Sequence, residues 1–80
     1  MTLEEIEKKV RDFMLEELEV EEECITADAR LKEDMGIDSL DYVDIVVIVE
    51  RIFGFKIKPE EMTDVKTYSQ FCEYIAKKVA

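Results

Sequence analysis

The sequence predicts an all-α fold: a small four-helix bundle of three main helices and one short helix, with a long loop after the first helix. Three observations carry this. Apolar residues recur at three- and four-residue spacing in the opening and closing segments, the period of a helix with one buried face. Residues that start and stop helices stand between the apolar stretches: Thr2, Asp38, Pro59 and Thr67 ahead of them, Gly54 behind one. The 80 residues are 48% apolar, with two glycines and one proline. That is too apolar for a disordered acidic tail and too poor in linker residues for a divided chain. Residues 1–80 read as a single domain with one small core.

The first helix is expected over residues 3–18, where Leu3, Ile6, Val10, Phe13, Met14 and Leu18 form the apolar stripe. Thr2 caps it, and Glu4 and Glu5 suit the positive end of its dipole. Residues 19–37 read as irregular. Ile25, Leu31 and Met35 are expected to pin this loop to the core, and a loop so long in a small domain is often functional. Residues 39–53 are rich in Val and Ile, which on propensity alone favours a strand. Asp38 and Ser39 at the start, Asp41 in the first turn and Gly54 at the end favour a helix instead. Such a helix, apolar nearly all round, buries one side and leaves an apolar face on the other. Pro59 opens the short helix. Thr67 caps the last, over residues 67–78, with Tyr68, Phe71, Cys72 and Ile75 inward and Lys77 and Lys78 at its negative end.

Charge and composition remove whole classes of function. Twenty-one acids against eleven bases give a net charge of −10, the opposite of the basic footprint that nucleic acid needs. The longest apolar run, Ile45 to Val49, has five residues, far short of a membrane span. The acidic opening lacks the features of a secretory signal. With no histidine, and with Cys24 and Cys72 far apart, a structural zinc site and His-based catalysis are not expected. Two distant cysteines suit a reducing compartment, so a cytoplasmic location is expected, with Cys72 buried and Cys24 exposed. The acid excess lies in residues 1–23 (ten acids, three bases) and 24–54 (seven acids, three bases), not in 55–80 (four acids, five bases). That distribution predicts partners with basic patches.

The informative stretch is Glu33-Asp34-Met35-Gly36-Ile37-Asp38-Ser39-Leu40-Asp41. It puts a hydroxyl at a helix N-terminus, where free backbone N–H groups and the dipole favour a phosphate. The same residues are also an ordinary helix start, with Asp38 as the cap and Ser39 at the first helical position. On spacing alone the second reading outweighs the first.

Met-Gly-Ile before Asp-Ser-Leu-Asp, and Val-Asp-Ile-Val-Val-Ile-Val-Glu after Tyr42, resemble the phosphopantetheine attachment site of acyl carrier proteins. The similarity extends to the opening Leu-Glu-Glu-Ile-Glu-Lys-Lys-Val, the Ile25-Thr26 loop, Leu31 to Gly36, Phe53, Pro59-Glu60-Glu61 and Tyr74-Ile75. The resemblance implies that a transferase using Mg²⁺ attaches 4′-phosphopantetheine from coenzyme A to Ser39, between Asp38 and Leu40. The arm's thiol then carries acyl groups as thioesters. On that resemblance the chain is expected to be a carrier, not an enzyme, with the cofactor supplying the nucleophile. The resemblance also implies that acyl-processing enzymes dock on Asp38, Leu40, Asp41, Asp44, Val47 and Glu50. Arg51 and Ile52 depart from the family's acidic pattern there. An acyl pocket is implied at Leu31, Ile45, Val49, Phe53, Ile57, Met62, Phe71 and Ile75, although core packing alone also accounts for these positions. Phe71 is bulky where relatives often carry a small residue, so it is expected to narrow that pocket and favour shorter chains.

The leading expectation is a monomeric carrier of type II fatty-acid synthesis. A carrier of the same architecture for polyketide, peptide or D-alanine transfer remains open, as does an unmodified helical interaction module. An EF-hand calcium loop is absent from the sequence.

Overall fold

The computed structural model describes residues 2–79. Among them the chain forms four α-helices: α1 Leu3–Glu16, α2 Ser39–Phe53, α3 Pro59–Met62 and α4 Tyr68–Val79. The expected all-α architecture is present, and the long segment between α1 and α2 holds one turn of 3₁₀ helix, Glu22–Cys24.

α1 starts as expected, with the Thr2 hydroxyl accepting the Glu5 amide. It ends two residues earlier than the apolar periodicity predicts. The Leu18 amide reaches back to the Phe13 carbonyl, Glu19 takes φ 55°, and the Val20 amide returns to the Met14 carbonyl at 2.9 Å. Leu18 and Val20 still pack on the core, so the apolar pattern outlasts the helix. A left-handed backbone at a residue with a Cβ costs about 1 kcal/mol. Glu19→Gly is therefore expected to stabilise the fold by roughly 0.5–1 kcal/mol, read as a raised midpoint in urea denaturation.

α1 and α4 pack against each other. The Phe13 and Phe71 rings meet edge to face, with centroids 6.3 Å apart. The Tyr68 hydroxyl donates to the Glu7 carbonyl at 2.8 Å. Burial pushes the Tyr68 phenol up, and it pushes the neighbouring Cys72 thiol up to about 12. Cys72 is thus a buried, protonated core residue, as expected, whereas Cys24 is half-buried rather than exposed.

The loop after α1 is tied to the start of α4. Leu31 N–H donates to the Lys66 carbonyl, and the Tyr68 and Ser69 amides donate to Ala29 and Ala27. The Gln70 amide donates to the Thr67 hydroxyl. The first three amides of α4, which no helical carbonyl can serve, are thereby satisfied. In return the loop is fixed, with Ile25, Ala29, Leu31, Met35 and Ile37 buried in the common core. This staple holds residues 27–31, which lead toward α2, against the start of α4.

Candidate functional site

α2 occupies residues 39–53 despite its β-branched content. Its ends explain why. The Asp38 carboxylate accepts the Leu40 amide at 2.9 Å and the Asp41 amide at 3.1 Å, and the Asp41 carboxylate accepts the Asp38 amide at 3.2 Å. Gly54 closes the helix at φ 80°. This reciprocal cap is the helix start that spacing alone favours, with Asp38 as the cap and Ser39 at the first helical position, and it leaves the Leu40 and Asp41 amides bonded to a carboxylate rather than open to a phosphate. Asp38→Ala should cost about 1–2 kcal/mol of stability, which equilibrium urea denaturation would read.

Ser39 is exposed at the first position of α2. It stands on the wall of an apolar cavity of about 600 Å³. Tyr42, Val43, Ile45 and Val46 of α2 form one side of that cavity, with Ile57, Pro59, Met62 and Val65 opposite. Ile45, Ile57 and Val65 are buried and make the floor. Arg30, Lys32, Glu33 and Lys66 also line it, and all four are exposed, so they form its rim. The Arg30 guanidinium is engaged with Glu33 at 2.7 Å and Asp34 at 3.2 Å. It holds the Asp34 carboxyl below the usual carboxylate range.

Of the eight residues expected to form an acyl pocket, Ile45, Ile57 and Met62 line this cavity. Leu31, Val49, Phe71 and Ile75 are fully buried in the core and Phe53 is half-buried against it. Phe71 packs on Phe13 and is not among the residues of the cavity wall. The pocket positions implied by the resemblance on α2 are the core residues Ile45, Val49 and Phe53, of which Ile45 alone lines the cavity. The wall uses the neighbouring stripe 39, 42, 43, 46, which begins at Ser39 itself. Helical spacing of three and four from Ser39 was the available signal.

The outward side of α2 is unusually apolar. Leu40 is 77% exposed, Val43 63% and Val47 60%. Asp44 and Glu50 are exposed beside them, while Asp38 and Asp41 serve the cap. Val43 is a member of this face that the sequence reading did not single out. Arg51, on the same helix, pairs with Glu17, the residue after α1, at 2.8 Å.

α3 is held from below. Glu61 accepts from the Tyr74 hydroxyl at 2.9 Å and from Lys78 at 3.1 Å. These two donors hold its carboxyl below the usual range.

The site can display a hydroxyl, offer an apolar recess beside it and present an apolar, acid-flanked face. Among the described residues no group of His, Cys, Asp and Glu is arranged to hold a metal ion, and no helix is long and apolar enough to cross a membrane.

Residues 8–75 match the protein family described as "Phosphopantetheine attachment site". The chain is 40% identical over 76 residues to the acyl carrier protein of Thermotoga maritima, covering 95% of this chain and 94% of that one. It is 37% identical over 76 residues to the acyl carrier protein of Amoebophilus asiaticus, covering 95% of each. The acyl carrier protein of Rickettsia canadensis is 36% identical over 77 residues, covering 96% of this chain and 90% of that one.

Proposed function

The chain belongs to the phosphopantetheine-attachment family of acyl carrier proteins, and we propose that it bears its prosthetic group on Ser39 and serves type II fatty-acid synthesis. It is a carrier rather than an enzyme, and its cofactor is 4′-phosphopantetheine. That group, when bound, supplies a thiol on which acyl chains ride as thioesters.

One observation carries the assignment of Ser39. An exposed serine opens α2 on the wall of an apolar cavity. A group tethered there is free to meet an enzyme or to fold its apolar end into the recess. The cavity's size is in the range of small-molecule sites. Asp38 and Leu40 flank the attachment point. Asp38 fixes the helix start, so the hydroxyl is held at a defined position.

Docking falls to the outward face of α2. Leu40 and Val47, joined by Val43, are apolar anchors of the kind that dominate binding energy. Asp44 and Glu50, with Asp38 and Asp41 at the helix start, steer partners with basic patches, a phosphopantetheinyl transferase among them. The protein works as a cytoplasmic monomer, one domain over residues 1–80.

The test is intact mass after incubation with coenzyme A, Mg²⁺ and a broad-specificity transferase, followed by peptide mapping. One added phosphopantetheine on the peptide containing Ser39 is expected. A group mapped to any other residue, or no mass gain beside an active control, overturns the assignment. For the pathway, the loaded protein should accept acyl groups from fatty-acid elongation enzymes, and failure with these but success with an amino-acid-activating enzyme would reject it.

A further inference from the structure

The capping box leaves an electrostatic problem at Ser39. Asp38 stands beside it and Asp41 two residues on, and their carboxylates already hold the Leu40, Asp41 and Asp38 amides. A phosphodiester on Ser39 would add a third negative charge to this corner, where two of the helix amides that usually receive one are already taken.

Cations share the cavity with it. Arg30, Lys32 and Lys66 line the same cavity as Ser39, in a chain with 21 acids and 11 bases. Their grouping comes from the loop staple. Leu31 N–H bonds to the Lys66 carbonyl at 2.9 Å, and Arg30 pairs with Thr67 across the bridge. Leu31 is buried at the start of the turn that follows the bridge, and its neighbours Arg30 and Lys32 are exposed. Arg30 is occupied by Glu33 and Asp34. Among the described residues neither Lys32 nor Lys66 makes an ion pair.

We infer that Lys32 and Lys66 bind the phosphodiester of the prosthetic arm and hold the arm across the mouth of the cavity. The inference rests on the assignment of the arm to Ser39. An anionic cargo is the competing use of these lysines, and the layout disfavours it. A tethered chain enters the cavity with its far end deepest, and the floor of Ile45, Ile57 and Val65 is apolar. The rim meets the arm, whose one fixed charge is the phosphate next to Ser39. Held there, the arm starts each cycle pointed at the recess, so the cargo is sheltered until a docked partner draws it out.

The experiment is ³¹P NMR of the phosphopantetheinylated protein, with loading verified by intact mass and the thiol left without cargo. Lys32→Gln/Lys66→Gln keeps much of each side chain and removes the charge, so the comparison reads charge rather than cover. At low salt the ³¹P transverse relaxation rate of the double variant is expected to fall about twofold, and the wild type should approach it at ~1 M NaCl, where screening reaches within ion-pair distance. Lys8→Gln/Lys9→Gln, which removes two exposed charges from α1, should leave the resonance where it was. A chain that gains no mass sinks the Ser39 assignment and this inference with it. A loaded chain whose ³¹P shift and relaxation ignore Lys32 and Lys66 sinks this inference alone. A lysine effect that appears only with a carboxylate-ended acyl group on the thiol also overturns it, and moves the lysines to the cargo.

Discussion

Ser39→Ala is expected to accept no phosphopantetheine while keeping the wild-type fold. The two halves of that result have separate causes. The hydroxyl is the only nucleophile offered at the start of α2, since Asp38 and Asp41 are tied to backbone amides. Removing it removes the attachment atom, and incorporation should drop to the detection limit of intact-mass analysis. The fold, in contrast, makes no visible use of Ser39. The side chain is exposed, and the cap is supplied by Asp38. Alanine is the best helix former at an exposed helical position, so the change in stability should stay within about ±0.5 kcal/mol. A thermal melt run beside the mass measurement separates the outcomes. A Ser39→Ala protein that melts far below wild type would make Ser39 a structural residue. One that still gains the mass would place the arm elsewhere.

That separation between Asp38 and Ser39 could be read only in part from the sequence. Asp38, Ser39, Asp41 and Gly54 bound α2 at the observed residues because start and stop chemistry is local: each acts within a turn of its own position. The Asp38 carboxylate is equally local, since it turns onto amides two and three residues ahead. It accepts two amides and thereby closes the anion site that a bare helix N-terminus would offer. α1 shows the converse limit. Its apolar period runs to Leu18, but the helix stops at Glu16 because Leu18 and Val20 reach the core by a left-handed step at Glu19. Periodicity reports which residues are buried, not how the backbone brings them there. The cavity is legible in the sequence only at Ile45, Ile57 and Met62, for a related reason. Its wall joins α2 to residues 57–66 and to the loop at Arg30 and Lys32, and the bridge between Arg30 and Thr67, with the backbone hydrogen bonds beside it, puts that loop against residues 66–69. No spacing within one segment encodes that contact.

Phe71 shows what such a misplacement means for an experiment. Expected from the sequence to narrow an acyl pocket, it is fully buried and packs edge-on against Phe13. Phe71→Ala is therefore expected to act on stability first. Removing a buried phenylalanine costs about 3–5 kcal/mol. A domain of 80 residues has roughly 4–12 kcal/mol of stability in total, at 0.05–0.15 kcal/mol per residue. The variant should melt at least about 12 °C below wild type, at 4–8 °C per kcal/mol for a domain of this size, and should be partly unfolded at the low end of that stability range. Its effect on acyl shielding would then follow from loosening of the whole bundle, and every chain length would be exposed alike. Met62→Ala is the contrasting change. Met62 is half-buried on the cavity wall, so its truncation should cost less stability and alter thioester protection in a way that depends on chain length. Hydroxylamine cleavage of short and long acyl thioesters on the two variants, run beside their thermal melts, distinguishes the roles. If Phe71→Ala kept its melting temperature and changed protection only for long chains, Phe71 would belong to the acyl cavity after all, and the packing on Phe13 would not be what it contributes.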